Sequence, residues 1–535
     1  MNITDITETP ETLSESSAKK IRKGSLLRST SIVSLMTVIS RLGGVARDIV
    51  VAHYFGATAG VDAFLVAFKI PNFMRRLFAE GAFSQAFIPV LAEYQENRTH
   101  EETMRFVSHV AGNLGIILFI VIALGMYFSN TMTMIFAPGF SQDSLRFVQA
   151  SEMLRITFPY LGLISLTALA GAVLNTYQRF AVPAFTPVLL NVGMIFGAVV
   201  LSPWLAVPVE SLAWGVLIAG VLQLVFQLPF MARYSLLCRP RIDWRDAGVK
   251  HMLKLMVPAL FGVSVYQINL LMDTIFASFL PVGSVSWLFY SDRLTNFPLG
   301  VFGVAIATVI LPHLSREHSR QSVQQFSSAL DWGIRLILLI ALPAALGLFF
   351  MAGPILASIL GYGEFTAHDV YQTRLSLMAF ATGIPFFMLT KVLATGFYAS
   401  QNIKIPVKVG IAAMLANTLL CLLLIKPFAH MGLALASSLA GVINAVGLFV
   451  YLVRKKLFQP KAGWMRYLTQ LGCANGVMSL WLWLRVPPTA QWIEWDLAQR
   501  ALHLFPDILL GITFYVLILF LMGIRPSDFF GKHAH

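Results

Sequence analysis

Charge is scarce in this chain. Of 535 residues only 12% are Asp, Glu, Lys or Arg, about half the share found in soluble globular domains. With 57% hydrophobic residues and a mean hydropathy of +0.72, an ordinary soluble globule is excluded. Cysteine is scarcer still. Cys238, Cys421 and Cys473 lie far apart with no CxxC or His/Cys spacing, which excludes a disulfide scaffold or a zinc module and predicts free thiols. No HExxH, GxSxG or Walker loop occurs, and His53, His109 and His251 stand in different segments. No catalytic residue, metal ligand or cofactor is therefore expected. The net charge of +13 is spread through short loops and helix interiors without an aromatic-interleaved basic patch, which argues against nucleic acid as a partner. Residues 1–24 are polar, so no signal peptide is expected there. Residues 1–25 read as a disordered tail ending in the basic collar Lys19, Lys20, Arg22 and Lys23.

Apolar runs of about 20 residues recur from end to end, the length that crosses a bilayer as a helix. They predict an all-α, polytopic membrane protein with fourteen spans near 29–53, 61–94, 106–128, 150–177, 184–206, 210–232, 252–280, 284–314, 325–350, 371–400, 405–425, 429–453, 466–485 and 505–523. With the N-terminal tail placed in the cytoplasm, 25 Lys and Arg fall on the cytoplasmic side and 5 on the other. That bias predicts that both termini are cytoplasmic. An internal repeat is also visible. QRFAVP at 178–183 answers QNIKIP at 401–406, and FIPVLAEY at 87–94 answers ILPHLSRE at 310–317, both at an offset of 223. SLAWGVLIAGVLQ at 211–223 answers GLALASSLAGVIN at 432–444 at an offset of 221. Two six-span lobes of like topology follow, 26–247 and 248–456, leaving 457–535 with two further spans outside the repeat. Substrate sites in such folds lie between the halves near the midplane.

The charges that do occur within spans cluster. Residues 40–94 hold Arg41, Arg47, Asp48, Asp62, Lys69, Arg75, Arg76 and Glu80 in an otherwise apolar stretch. Four arginines and a lysine facing lipid would cost on the order of 10 kcal/mol, so they must face one another, water or an anion. Arg76 and Glu80 are four apart on one helical face, Arg41 and Asp48 are seven apart, and Gly43 and Gly44 permit close helix approach. Pro71 predicts a break beside Arg75 and Arg76. In the second half, 281–303 carries Ser286, Asp292, Arg293 and Asn296, with a kink expected at Pro298. Arginine is suited to phosphate, because its planar fork donates bidentate hydrogen bonds and stays charged. Arg–Asp and Arg–Glu struts are the plainer alternative for the same residues, and an Arg335–Asp331 pair is expected to be one.

Those residues carry a resemblance. SRLGGVARD, DAFLVAFKIPNFMRRLFAEGAFSQAFIPVLAEY, FASFLPVGSVSWLFYSDRLTNFPLGVFGVAIATVILPHLS and GFYASQNIKIPVK resemble the MurJ (MviN) family of lipid II flippases in the MOP exporter superfamily. The resemblance implies fourteen transmembrane helices in the bacterial cytoplasmic membrane. It implies alternating-access transport of undecaprenyl-diphosphate-linked MurNAc-pentapeptide-GlcNAc to the outer leaflet, with the last two helices sheltering the lipid tail. It places functional positions on Arg41, Arg47, Asp62, Arg75, Arg76, Ser286, Asp292 and Arg293. Glu80 and Asn296 complete the expected substrate-binding set, although Asn296 stands where many members have Glu. Peptidoglycan synthases are expected partners in the same pathway. Resetting of the carrier is left open between membrane potential and a monovalent cation. Two other classes stand beside this reading: a polyspecific drug/cation antiporter of the same superfamily, and an intramembrane enzyme acting on lipid-linked sugars.

Overall fold

The computed structural model describes the backbone of residues 10–76 and 81–525, and helices are its only regular elements. In chain order they are α1 (Pro10–Phe55), α2 (Ala59–Arg75), α3 (Ala82–Asn97), α4 (His100–Tyr127), α5 (Ser129–Phe136), α6 (Ser144–Thr157), α7 (Tyr160–Thr176), α8 (Ala181–Phe196) and α9 (Glu210–Arg233). There follow α10 (Ala247–Ser278), α11 (Ser284–Pro298), α12 (Val304–Ser319), α13 (Val323–Phe350), α14 (Ala352–Ile359), α15 (Ala367–Ala399), α16 (Lys404–Arg454), α17 (Trp464–Arg485), α18 (Thr489–Glu494) and α19 (Leu497–Leu521). Among the described residues, nine helical segments are long and apolar enough to cross a membrane. One of them, α16, is two helices joined at Ala429, whose φ of 47° and ψ of −129° leave the helical region. The expected spans at 29–53, 61–94, 252–280 and 466–485 lie on α1, α2 with α3, α10 and α17, outside that set of nine.

The chain divides into two compact units. The first comprises Met1–Val50, Ala67–Ser129 and Ser151–Ser264; the second comprises Val51–Val66, Asn130–Ala150 and Val265–His535. In the first unit a stack of rings runs from α3 to α4. Phe83 and Phe87 stand 5.1 Å apart, Phe87 and Phe106 5.9 Å, and Tyr94 and Phe106 4.6 Å. Leu169, Val173 and Leu174 of α7 close over this cluster. Helices α8 and α9 meet backbone to backbone, because a Cβ on Gly193 would stand 2.8 Å from the Gly215 carbonyl oxygen. In the second unit, α12, α13, α15 and α16 share one apolar core around Leu314, Leu330, Met388 and Leu452. A second core joins α13 to α17 and α19 through Leu471, Met478, Tyr515 and Leu519.

The internal repeat survives as backbone. At the end of α7, Gln178 takes a left-handed φ of 60°, and at the end of α15, Gln401 takes 56°. In each, the left-handed residue's N–H reaches back three residues and the next N–H reaches back five: Gln178 to Asn175 and Arg179 to Leu174, Gln401 to Tyr398 and Asn402 to Phe397. The same closure ends α9 at Ser235 (φ 56°) and α16 at Lys456 (φ 56°). This is the helix-ending motif that usually recruits glycine. Here four ordinary residues accept it at matched positions, so the repeat lies in the connections as well as in the apolar runs. Each half also straps its following loop to a helix. Ser108 of α4 donates to the Arg239 carbonyl, and Asn113 bonds both ways with the Asp243 backbone at 2.8 and 3.1 Å. Ser327 of α13 exchanges bonds with Gln459 at 3.0 and 2.8 Å.

Candidate functional site

Asp62 sits in the first turn of α2 and is fully buried. Helix α11 begins after Gly283, whose φ of 92° suits glycine and which, lacking a side chain, offers no cap. Asp62 supplies that cap from another helix. Its carboxylate accepts from the Gly283 N–H at 2.7 Å, from the Ser286 N–H at 2.9 Å and from the Ser286 hydroxyl at 2.6 Å. A helix start leaves such donors orphaned and attracts negative charge, so one carboxylate answers both needs. Ser286 is likewise fully buried. Both residues expected at the substrate are therefore engaged with each other, fixing the start of the helix that carries Asp292, Arg293 and Asn296. One turn on, Trp287 donates to Asp369 at 2.9 Å, and Asp369 also closes a capping box with Thr366 at the start of α15. Asp369 was not distinguishable by sequence, because its role depends on a contact 82 residues away.

Further along α11, Asp292, Arg293 and Asn296 are exposed on one face, and the Asn296 amide donates to the Asp292 carbonyl at 2.9 Å. At Pro298, where a kink is expected, α11 ends and Leu299–Gly303 form a π-helical turn. Pro71 behaves differently from expectation. Regular helix continues through it to Arg75. Proline removes the N–H that would bond the Ala67 carbonyl, and the buried Thr157 hydroxyl approaches that carbonyl instead, at 3.4 Å. The α-helix ends at Arg75 and Arg76 is already π-helical, so the break falls beside these two arginines as expected, though not at the proline itself.

In the first unit, Arg47 is buried in a tight polar knot. Its Nε and Nη2 donate to Asp48 Oδ1 at 2.9 and 2.5 Å, and its Nη1 to Asn191 Oδ1 of α8 at 3.2 Å. Asn191 donates in turn to the Ser40 carbonyl at 3.0 Å. Gly43 lets α8 close in, since a Cβ there would lie 3.3 Å from the Asn191 amide. Asp48 thus takes Arg47, its neighbour, where the seven-residue spacing had pointed to Arg41. Arg41 is exposed and makes no hydrogen bond or ion pair with the described residues. Arg75 is half-buried and donates twice to Asn72 Oδ1, at 2.9 and 2.6 Å. Arg76 is half-buried without an ion pair among the described residues. Glu80, its expected partner, lies outside them.

Other charged groups are structural. Arg335 pairs with Asp331 at 2.8 Å as expected and lies over the Trp464 ring at 4.8 Å. Arg146 and Arg500, which lie outside the expected spans, are buried. Arg146 bonds Asp143 at 2.7 Å and the Leu280 carbonyl at 3.1 Å. Arg500 donates to the carbonyls of Ala357, Gly361 and Ile493 above the Tyr362 ring. Nothing in local sequence distinguishes a loop arginine from one that caps a distant helix end. His109 also gains partners: Asp246 at 2.9 Å and Asp243 at 4.0 Å. A His109 ring nitrogen and one oxygen of each carboxylate lie within 4.8 Å of one another. Each carboxylate also accepts a nearby backbone N–H, Arg245 for Asp243 and Val249, in the first turn of α10, for Asp246, so the trio straps the loop and the start of α10 to α4. Burial alone would raise the Asp246 carboxyl, but the His109 bond and the Val249 and Gly248 N–H groups outweigh it and hold the group below the usual carboxylate range.

The family model for lipid II flippase MurJ matches residues 51–502. A Vibrio cholerae protein named probable lipid II flippase MurJ is 46% identical over 510 residues, covering 94% of this chain and 97% of its own. A Burkholderia cenocepacia lipid II flippase MurJ is 40% identical over 509 residues, covering 94% and 99%. Among solved structures, a lipid II flippase MurJ in an inward closed conformation matches with a TM-score of 0.76 at 26% identity, covering 93% of this chain and 98% of that one. An inward-facing multidrug resistance MATE transporter of the MOP superfamily matches with a TM-score of 0.62 at 14% identity, covering 79% and 97%. That second likeness concerns the fold alone. A match over most of the chain, together with relatives of 40–46% identity at nearly full length, places this protein in the lipid II flippase MurJ family, a family of polytopic membrane transporters and not of enzymes.

Proposed function

We propose that this protein carries lipid II from the inner to the outer leaflet of the bacterial cytoplasmic membrane by alternating access, with both termini in the cytoplasm. The observation that carries the reading is the accessibility of Arg41 and Arg76, cations within the expected spans 29–53 and 61–94 with no acidic partner among the described residues. Such cations cannot face lipid without cost, and they suit the diphosphate of an undecaprenyl-linked head group. Arg75 and Arg293 are accessible as well and complete the set assigned to the diphosphate. Asp292 and Asn296 stand beside Arg293 for sugar or peptide groups. Asp62, Ser286 and Arg47 hold the helices that present these residues. Resetting is left open between the membrane potential, which acts at about 2.3 kcal/mol per charge moved per 100 mV, and a monovalent-cation gradient.

Substitution of Arg76 or Arg293 by Ala and by Lys, in cells that depend on this copy, tests the assignment. Ala variants present at normal membrane levels should leave lipid II on the cytoplasmic face and stop growth. Full growth of both Ala variants would refute the diphosphate clamp. Rescue by Lys but not Ala would show that charge outweighs bidentate geometry.

A further inference from the structure

The loop of residues 234–246 joins α9 to α10 and brings two carboxylates to one imidazole nitrogen. His109 Nδ1 of α4 lies 2.9 Å from Asp246 Oδ2 and 4.0 Å from Asp243 Oδ2. The other oxygen of each carboxylate is held by backbone. Asp243 Oδ1 accepts the Arg245 N–H at 2.8 Å, and Asp246 Oδ1 accepts the Val249 N–H at 3.0 Å. Those bonds fix the rotation of each carboxylate and leave both Oδ2 atoms turned to Nδ1. The loop itself is pinned to α4. Asn113 bonds the Asp243 backbone in both directions, and a Cβ on Gly112 would collide with the Arg241 carbonyl.

A single hydrogen bond accounts for only half of this arrangement. Nδ1 shares one proton, and Asp246 is the carboxylate within reach of it. Asp243 Oδ2, at 4.0 Å, lies beyond hydrogen-bond distance and has no other hydrogen-bond or ion-pair partner among the described residues. Arg239, Arg241 and Arg245 stand on the same loop, yet neither carboxylate pairs with an arginine or lysine among the described residues. Even a protonated imidazole balances only one of the two negative charges. A divalent cation answers both features. Bonds of about 2.0–2.2 Å to imidazole nitrogen and carboxylate oxygen set ligand atoms about 3–4 Å apart, the separations found here from Nδ1. With the imidazole proton on Nε2, Nδ1 offers a lone pair, and the two carboxylates neutralise the ion. One nitrogen with two carboxylate oxygens suits zinc better than magnesium or calcium, which take oxygen ligands. The backbone N–H groups on the outer oxygens are the orienting partners that metal ligands ordinarily have.

We propose that His109, Asp243 and Asp246 form a site for an exchangeable, zinc-like divalent cation that clips the α9–α10 loop to α4. Three protein ligands leave a fourth tetrahedral position to water, and the Asp243 side chain, 42% exposed, keeps the ion open to exchange. No ligand spacing marks the site in the chain, because His109 and Asp246 are 137 residues apart. None of the residues assigned to lipid II takes part, and the proposal does not rest on that assignment.

The test titrates the full chain, free of tags and stripped with a chelator, with zinc chloride in detergent, and follows amide exchange with and without the ion. Zinc should bind saturably and slow exchange at residues 241–247, whereas magnesium at the same concentration should do neither. Asp243→Asn keeps the oxygen that accepts the Arg245 N–H and replaces the other by an amide nitrogen that cannot ligate. Loss of an outer-shell partner alone costs about 10–100-fold in metal affinity, so loss of this ligand should weaken zinc by at least about tenfold and remove the protection. His109→Gln should do the same. Equal zinc affinity in wild type and Asp243→Asn would overturn the proposal, and zinc held by the thiols of Cys238 or Cys473 would give that result. Unchanged exchange at 241–247 in zinc-saturated wild type would overturn it as well, and that comparison needs no variant.

Discussion

Asp62 offers the sharpest test of how this protein is held together. Its carboxylate accepts three hydrogen bonds at 2.6–2.9 Å while fully buried. Asp62→Ala leaves two backbone N–H groups and one hydroxyl without an acceptor. A buried unsatisfied donor costs about 1–3 kcal/mol, and loss of a helix cap alone about 0.5–2 kcal/mol. Partial rotation of the Ser286 hydroxyl to another acceptor recovers part of this, so a loss of about 3–5 kcal/mol is expected, the size associated with breaking a buried network. Thermal unfolding of the purified protein in detergent should show a drop of several degrees for Asp62→Ala and a smaller one for Ser286→Ala. The double variant should be little worse than Asp62→Ala, because both changes remove the same bond. Asp62→Asn keeps an acceptor for Ser286 but aims an amide N–H at the Gly283 N–H, and should fall between. The outcome that defeats this reasoning is an Asp62→Ala protein that unfolds with wild type and fails only in transport. Asp62 would then be a ligand for substrate and its cap incidental.

Three further changes probe other parts of the frame. Arg500→Ala strands the carbonyls of Ala357, Gly361 and Ile493. It should cost about 2–4 kcal/mol and speed amide exchange in α18 and the start of α19, with no rescue by Arg500→Lys, whose point charge cannot span three carbonyls. Gly193→Ala puts a methyl 2.8 Å from the Gly215 carbonyl and 2.6 Å from Ala219 Cβ, and should lower the melting temperature through overpacking worth about 1–3 kcal/mol. Asp246 has a depressed folded-state pKa, so its strap contributes stability above its unfolded value of about 3.9 and loses it as pH falls through the lower folded value. Asp246→Asn should therefore melt below wild type at pH 7, with the gap closing below pH ~4; a gap that stays constant across that window would contradict the strap.

The apolar runs made the all-helical membrane fold legible, and the 223-residue offset anticipated the matched turns at Gln178 and Gln401. Gly43 and Gly44 were legible as a place for close approach, although the partner, Asn191, was not. Helical spacing was a sound guide for Arg335 and Asp331, four apart on α13. It misled at Asp48, because an adjacent arginine can curl back onto its neighbour when Asn191 steadies the far side of the guanidinium. It was silent about Asp62, whose partner lies more than two hundred residues away. Pro71 was read by a local rule that presumes an unanswered carbonyl, and Thr157, from another helix, removes that premise. In each failure the missing term is a tertiary hydrogen bond, which carries no periodicity in the chain.

The division of the charged residues also follows from energetics. An arginine already bonded twice to a carboxylate, as Arg47 is to Asp48, must lose those bonds before it can clamp an anion. The exchange returns little, since one charge-assisted pair replaces another. An arginine that is accessible without an acidic partner, as Arg41 and Arg76 are among the described residues, gives up only hydration. Its attraction for a diphosphate is then available for binding. The struts nevertheless matter to the same end. Asp62 caps the helix that bears Arg293, and Arg47 joins the helix that bears Arg41 to α8. A conservative change in a strut should therefore lower stability and displace the proposed clamp together, whereas a conservative change in the proposed clamp should spare stability and impair transport. Paired melting and transport measurements on Arg47→Lys and Arg76→Lys separate the two classes, and Arg47→Lys retaining wild-type stability would break the distinction.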